Sequence, residues 1–183
     1  GQGCRIMAYW LFKSEPNTWG WDDQLAKGDA GAEWDGVRNY QARNFMRQMA
    51  LGDRGFFYHS QKEKAVVGIV EVCAQAHPDS SSDDDRWDCV DIKAIRSFTQ
   101  PVPLEQIKAD PRLAEMSLVK SSRLSVQPVS ETEWQMSKPF QVFLLELMLN
   151  IHLVKNRFQF GLAIMYWLVT EQALLCLYHV VIS

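Results

Sequence analysis

WDGVRNYQARN, residues 34–44, combines one indole, one phenol, two guanidiniums and two carboxamides. A flat aromatic surface beside rigid hydrogen-bonding groups is costly to bury without partners. This mixture suits a planar ligand with polar edges, and a nucleobase is such a ligand. We expect three other informative segments, residues 9–21, 52–60 and 118–129, to close a pocket around this one.

The composition limits which partners the chain can bind. With 183 residues, it is long enough for one domain with a real core, or for one domain plus an appendage. A net charge of −3 excludes a basic protein that coats nucleic acid non-specifically. Any role in nucleic-acid binding must therefore rest on a local basic patch and a pocket for a base.

The four cysteines are scattered, without a C-x-x-C pair. This pattern argues against a structural zinc site or a disulfide framework, and it fits a reducing compartment. No basic segment followed by an apolar one stands at the start, so we predict no secretory signal and a cytoplasmic protein, or a nuclear one in a eukaryote. Residues 1–6 resemble an extension upstream of Met7. We expect no cofactor and no obligatory metal.

Periodicity and turn residues predict short elements of both kinds. Strands are expected at residues 9–12, 55–59, 65–73, 87–95 and 122–128. Helices are expected at residues 19–26 with Thr18 as N-cap, 39–51, 104–108 and 111–116, and from Ser130, where Glu133 completes a capping box. Residues 77–85 read as a solvated loop. Without a regular βαβ period, the prediction is a mixed α/β (α+β) fold, a curled sheet or partial β-barrel flanked by short helices.

Residues 140–183 are strongly apolar, but their apolar runs are too short to predict membrane spans. Three readings stay open for this tail. It forms extra helices on the domain, it is a poorly folded or out-of-frame extension, or it lies on a membrane or a partner.

Six motifs, in order, resemble the EVE domain family of the PUA-like superfamily, which is related to the YTH readers of methylated adenine. They read YWLFKSEP, WDGVRNYQARN, GDRGFFYHS, VVGIVEV, WDCVDI and SLVKSSRLSVQPV. The resemblance covers residues 8–135 and leaves residues 136–183 as an atypical apolar, helical or poorly ordered tail. It implies a PUA-like fold and a reader pocket for a modified base, a modified cytosine in DNA or a modified base in RNA.

In the related YTH readers, a Lys-Ser pair and a Trp help to hold the flipped base, and Lys13, Ser14 and Trp34 resemble those positions. The full set of candidate base-binding residues is Lys13, Ser14, Trp34, Val37, Arg38, Asn39, Tyr58, His59 and Ser60. Lys120 and Arg123 are candidates for phosphate contacts.

Each candidate also has a structural explanation. Trp34 could fill the core, and Arg38 could form an ion pair with Asp35 or Glu33. Arg43 and Arg47 share one helix face, and a solvated basic face is the favoured explanation for them.

No nucleophile elbow, Walker loop or H-E-x-x-H motif occurs, so we predict a binding module and not an enzyme. One alternative is a nuclease or base-processing hydrolase that uses His59 with Asp53 or Glu15. The other is an adaptor whose aromatic surface binds a peptide. Residues 83–85, three aspartates, read as a solvated turn because the glycine and terminal Glu of a calcium loop are missing.

Overall fold

The computed structural model describes residues 6–121, 123–139, 145 and 147–152. The strands are β1 (Tyr9–Ser14), β2 (Ala32–Glu33), β3 (Arg54–His59), β4 (Ala65–Pro78), β5 (Asp88–Pro103) and β6 (Val126–Val129). The helices are α1 (Trp21–Ala26), α2 (Tyr40–Gln48), α3 (Leu104–Ala109), α4 (Ser117–Lys120) and α5 (Glu131–Met136), with 3₁₀ turns at Gly28–Ala30 and Pro111–Leu113. The predicted mixed α/β class is confirmed.

All six strands belong to one sheet in the order β2-β5-β4-β3-β1-β6. β1 runs parallel to β3, and the other neighbouring strands are antiparallel. β2 and β6 form the two edges of this described sheet, so it is an open curled sheet, as expected.

One face of the sheet carries the main core. Phe12 of β1 and Phe57 of β3 are fully buried there, together with Met46 of α2. Gly55 of β3 leaves room for the Phe12 ring, since a Cβ at Gly55 would lie 2.7 Å from it. Aromatic side chains thus fix how α2 and the segment before it lie on the sheet.

The opposite face is covered by α5. Trp134 stacks on Tyr9 of β1 at 4.5 Å and on Phe56 of β3 at 4.3 Å between ring centroids. The helix begins with the predicted capping box, in which the Ser130 hydroxyl accepts from the Glu133 N–H and the Glu133 carboxylate accepts from the Ser130 N–H. Because Phe56 and Phe57 are neighbours in a strand, they pack on opposite faces.

Several predicted boundaries were wrong. β4 continues to Pro78 and β5 to Pro103, well beyond the predicted ends, and the two strands form one long hairpin with four irregularities in register. Residues 77–78 therefore belong to a strand and not to a loop. α1 begins at Trp21 after Gly20, whose N–H is accepted by the Asp23 carboxylate, so Thr18 is not its N-cap. β6 begins at Val126 rather than at residue 122.

The chain divides into two units, Gly1–Pro139 and Phe140–Ser183. All the elements named above lie in the first unit, and residues 145 and 147–152 of the second are helical. Otherwise, the predicted tail falls outside the described residues. Within the described part of the chain, no helix is both long and apolar enough to cross a membrane.

Candidate functional site

Residues 34–39 form a short connection between β2 and α2 that is held at every second position. The Trp34 N–H donates to the Val90 carbonyl of β5 at 2.8 Å. The Gly36 N–H donates to Oδ2 of Asp79 at 2.9 Å, and Val37 is buried in the main core. The exposed side chains of Arg38 and Asn39 are therefore presented from a fixed backbone.

Asp79 organises this connection. Its side chain is fully buried and accepts hydrogen bonds from the Gly36 N–H, the Arg38 guanidinium at 2.8 Å, and both the N–H and the hydroxyl of Ser81. Burial raises the pKa of Asp79, but the hydrogen bonds from Ser81 and Arg38 outweigh burial and lower this pKa to about 2. The carboxylate is thus ionised at any physiological pH. The expected ion pair of Arg38 with Asp35 or Glu33 was wrong, because the sheet brings the buried Asp79 to Arg38 instead.

Trp34 lies mostly inside the main core. Only 8% of the residue is exposed, and its ring makes edge contacts with Phe12 at 5.3 Å and Phe57 at 5.6 Å. These are the contacts of a residue that stabilises the sheet. The ring offers a ligand only a small exposed part of its surface in this conformation.

Ser14, His59 and Ser60 meet where β1 and β3 end. The N–H and the hydroxyl of Ser60 both donate to the Ser14 carbonyl, at 2.8 and 3.0 Å. Ser14 is the register partner of His59, and the His59 ring makes an edge contact with Phe57 at 5.7 Å. Since Phe57 also contacts Trp34, the structure brings His59 and Trp34 to one phenylalanine, with Ser14 beside His59.

Both ring nitrogens of His59 are engaged. Nε2 accepts from the Trp21 N–H at 3.0 Å, which places the proton on Nδ1, and Nδ1 donates to the Glu63 carboxylate at 2.6 Å. His59 thereby satisfies an N–H in the first turn of α1, where a helix has no partner of its own. His59 can form a hydrogen bond to the edge of a base only if its bond to Trp21 or its bond to Glu63 breaks.

Lys13 and Tyr58 lie on the other face of the sheet. They are register partners between β1 and β3, one residue away from the Ser14–His59 pair, and the Lys13 ammonium lies 5.7 Å from the Tyr58 ring centroid. Burial lowers the pKa of Lys13 and raises the pKa of Tyr58. Strand alternation therefore places Lys13 and Tyr58 on the other face of the sheet from Ser14 and His59.

Asn39 begins α2 as its N-cap. Its side-chain oxygen accepts from the Ala42 N–H at 3.0 Å, so the amide nitrogen points away from the helix N–H groups. Among the described residues, this amide nitrogen has no protein partner, and the residue is exposed. A donor and a positive helix end stand side by side here, and both favour a polar or anionic ligand.

An arginine–aromatic patch, in which Arg38, Tyr40 and Arg86 are exposed and Trp87 is buried, follows directly. We use this name for Arg38, Tyr40, Arg43, Arg86 and Trp87. The rings of Tyr40 and Trp87 stack at 4.9 Å, and the Arg43 guanidinium lies 4.9 Å from the Tyr40 ring and 6.0 Å from the Trp87 ring. The Arg38 guanidinium lies 5.5 Å from the Trp87 ring. Arg38 is paired with Asp79 and Arg86 with Asp84, so within the described residues Arg43 is the guanidinium of this patch that has no carboxylate partner.

The other basic candidates differ in whether a carboxylate pairs with them. Arg47 is paired with Asp88 at 2.5 Å, and Lys120 is paired with Glu115. Arg123 is exposed in the turn before β6, where Ser125 accepts the Lys13 N–H. Arg43 differs, because within the described residues its guanidinium contacts the Arg86 carbonyl and the Asn44 amide but no carboxylate.

A cleft of about 480 Å³ lies beside His59. Its lining includes Trp21, Phe98 and three carboxylates, Asp22, Asp23 and Glu63. The volume is sufficient for a small organic ligand. The three acidic groups oppose a phosphodiester, so the cleft differs in charge from the arginine–aromatic patch.

The groups of the hydrolase alternative do not converge. Asp53 precedes β3 and accepts from the Ala8 N–H, the Trp10 indole and the Ala50 N–H, whereas His59 ends the same strand. Glu15 accepts from the Gln61 side chain. The geometry that would favour His59 as a catalytic base with either acid is not formed.

Sequence reasoning missed Asp79, Arg86 and Trp87. Asp79 was assigned to a solvated loop, yet only 2% of the residue is exposed. Its turn with Ser81, in which a carboxylate accepts an N–H two residues on, is readable from the sequence Asp-Ser-Ser. The contacts of Asp79 with Gly36 and Arg38, which are distant in sequence, cannot be predicted in this way.

Comparisons with known proteins found a matching family and similar solved structures. Residues 8–136 match the EVE domain family. Thymocyte nuclear protein 1 of Mus musculus is 36% identical, over 72% of this chain and 73% of its own. The crystal structure of protein Atu2648 from Agrobacterium tumefaciens is 60% identical with a TM-score of 0.70, and it covers 71% of this chain and 90% of its own. Human THYN1, solved in complex with DNA containing 5-methylcytosine, is 33% identical with a TM-score of 0.65, over 76% of this chain and 97% of its own.

Proposed function

The chain belongs to the EVE domain family, and from this premise we propose that it is a non-enzymatic reader that binds a modified base in a nucleic-acid strand. The base we propose first is 5-methylcytosine in DNA, because the related human THYN1 was solved with such DNA. That relationship is the single observation that carries the proposal.

The geometry supports different roles for the residues in and around the segment 34–44. Asp79 fixes the connection, Trp34 borders the base slot through the exposed edge of its ring, and Arg38 and Asn39 supply donors to the base or its phosphate. Ser14 and His59 lie on the face of the sheet that carries the main core, whereas Lys13 and Tyr58 lie on its other face. Val37 is buried in that core, and Ser60 follows the end of β3. Extruding a base costs a few kcal/mol, which stacking and edge hydrogen bonds offset.

In this proposal, the sugar–phosphate backbone of the nucleic acid lies along the arginine–aromatic patch. Arg43 and the positive end of α2 supply phosphate contacts, and Lys120 and Arg123 extend them if the strand reaches β6. The acidic cleft beside His59 does not carry phosphate. The Trp21 N–H occupies Nε2 of His59 and the Glu63 carboxylate occupies Nδ1, so the proposal assigns His59 no role in bond cleavage.

The test compares matched DNA and RNA oligonucleotides that differ in one base: cytosine, 5-methylcytosine, 5-hydroxymethylcytosine or methyladenine. Affinity is measured by fluorescence anisotropy at fixed salt. The expected result is tighter binding to the 5-methylcytosine DNA than to its unmodified match. Equal, weak binding to all oligonucleotides that disappears with salt would contradict a reader function and leave phosphate contacts alone.

Asn39→Asp tests the donor at the site. The carboxylate can still cap α2, but the amide donor is lost, so we expect affinity for the modified strand to fall by about 5- to 100-fold. Asn17→Asp is the matched control, because Asn17 is exposed in the turn after β1 and lies outside residues 34–44. A change of equal size in both variants would remove Asn39 from the site.

A further inference from the structure

Four side chains with metal-binding atoms meet at the β2 edge of the sheet. Glu33 lies on β2, His77 on β4, and Cys89 and Asp91 on β5, and one ligand atom from each lies within 4.8 Å of all the others. The register explains the cluster, since Glu33 pairs with Asp91 and His77 pairs with Cys89. Cys89 and Asp91 are two residues apart on one strand and therefore share a face.

The distances fit a small coordination sphere. His77 Nε2 lies 2.7 Å from Asp91 Oδ1, and Cys89 Sγ lies 3.9 Å from both ring nitrogens. Glu33 Oε1 lies 4.0 Å from His77 Nδ1. Ligand atoms around a tetrahedral zinc ion are about 3.3–3.8 Å apart, given bond lengths of about 2.0–2.3 Å. The His77–Asp91 contact must lengthen by about 1 Å, as happens when an ion replaces the shared proton.

The surroundings orient the histidine for this role. Nδ1 lies 3.0 Å from the Pro78 carbonyl, so its N–H can be held there while Nε2 faces Asp91. Cys89 Sγ lies equally far from both ring nitrogens, within reach of an ion bound at Nε2. Metal-binding histidines are usually fixed by such a bond from the other ring nitrogen. Cys89 is buried, whereas the side chains of Glu33, His77 and Asp91 are 27–34% exposed. The cluster is thus open to an ion from solvent.

We propose that Glu33, His77, Cys89 and Asp91 bind a Zn²⁺ ion. A thiolate and an imidazole beside two carboxylates match a borderline-soft divalent ion, whereas Mg²⁺ and Ca²⁺ prefer oxygen ligands alone. This proposal departs from the expectation of no metal, which rested on the missing C-x-x-C pair. The four ligands are spread over residues 33–91, and only the strand register brings them together.

In this proposal, the ion links strands next to residues 34–39, the connection between β2 and α2. Glu33 directly precedes Trp34, and His77 is two residues before Asp79, which holds Gly36 and Arg38. A bound ion joins β2 to the β4–β5 hairpin next to both ends of this connection. We therefore expect Zn²⁺ to raise the thermal stability of the chain.

The experiment uses the full chain without oligonucleotide, so its result is independent of the proposed reader function. Zn²⁺ is titrated against a competing indicator, and Co²⁺ is added in parallel as a spectroscopic substitute. We expect one equivalent of Zn²⁺ to bind and Co²⁺ to give a thiolate charge-transfer band. His77→Ala should weaken Zn²⁺ binding at least about 100-fold, and Cys89→Ser should abolish the Co²⁺ band.

Cys73→Ser is the matched control, because Cys73 lies on β4 outside the four-residue cluster and should leave both signals unchanged. Circular dichroism of each variant separates loss of the site from loss of the fold. A Co²⁺ band that survives in Cys89→Ser, or Zn²⁺ binding that is unchanged in His77→Ala, would overturn the proposal. The cluster would then be a His77–Asp91 ion pair only.

Discussion

At the scale of single residues, Asp79 has the largest number of bonds to the candidate site. It joins Gly36, Arg38 and Ser81, and its side chain is fully buried. We expect Asp79→Asn to lower the free energy of unfolding by about 2 kcal/mol, because the charged acceptor of several hydrogen bonds is lost. Urea denaturation at neutral pH measures this change. Asp83→Asn, at an exposed position of the same loop, should change little, and equal losses would refute the special role of Asp79.

Trp34 has a structural role that any binding experiment must take into account. Because it is 8% exposed and contacts Phe12 and Phe57, Trp34→Ala should lower the free energy of unfolding by about 3–5 kcal/mol. Trp34→Phe should lose less, since a ring remains in the core. Thermal and urea unfolding of both variants provide the measurement. If Trp34→Ala were as stable as the parent, the ring would not be packed as described.

The sequence of residues 34–44 predicted a candidate binding segment but not which of its side chains are buried. Which residues are buried depends on partners far away in sequence, such as Asp79 for Arg38 and Phe57 for Trp34. Local chemistry predicted the capping role of Ser130 correctly because both partners are three residues apart. Distance along the chain thus separates what could be predicted from what could not.

At the scale of elements, the β4–β5 hairpin depends on Gly68. A Cβ at Gly68 would lie 2.4 Å from the Trp21 ring and 2.7 Å from the Arg96 carbonyl. Gly68→Ala must therefore displace α1 or the neighbouring strand, at a cost of at least about 2 kcal/mol in unfolding free energy. A glycine inside a strand is typical of a bulge or a close backbone approach, and here the structure identifies Trp21 as the neighbour.

Gly28→Ala provides the comparison for Gly68→Ala. A Cβ at Gly28 meets nothing within 4 Å, but its φ of +57° is strained for alanine, which costs about 1 kcal/mol. Denaturant unfolding should therefore rank the Gly68 variant below the Gly28 variant in stability. The reverse order would show that backbone strain outweighs the contact with Trp21.

The ends of strands were the least predictable feature at this scale. Apolar alternation stops near residue 73 in β4 and near residue 95 in β5, yet both strands continue because each is the other's partner. Pro101 and Pro103 stand directly before α3, yet Pro103 still pairs with Ala65 at the end of the ladder. Pairing between strands, and not local preference, decides where these strands end.

At the scale of the whole molecule, a net charge of −3 is combined with a local patch of three arginines around Tyr40 and Trp87. Binding to nucleic acid should then depend on salt only moderately, because few phosphates are contacted. The logarithm of the association constant falls by about 0.7–0.9 per phosphate contact for each tenfold rise in salt. The net negative charge of the chain would repel a nucleic acid, so binding must depend on the local patch.

Arg43→Ala tests whether the arginine–aromatic patch binds the phosphates of the nucleic acid. Removing this guanidinium should weaken binding to modified and unmodified oligonucleotides by the same factor, and should reduce the salt slope by about 0.7–0.9. Lys108→Ala is the control, since Lys108 is exposed on α3, outside the patch. Titrations at several salt concentrations measure both slopes. If Arg43→Ala changed the preference for the modified base and left the slope unchanged, Arg43 would contact the base rather than a phosphate. The patch would then belong to the base slot itself.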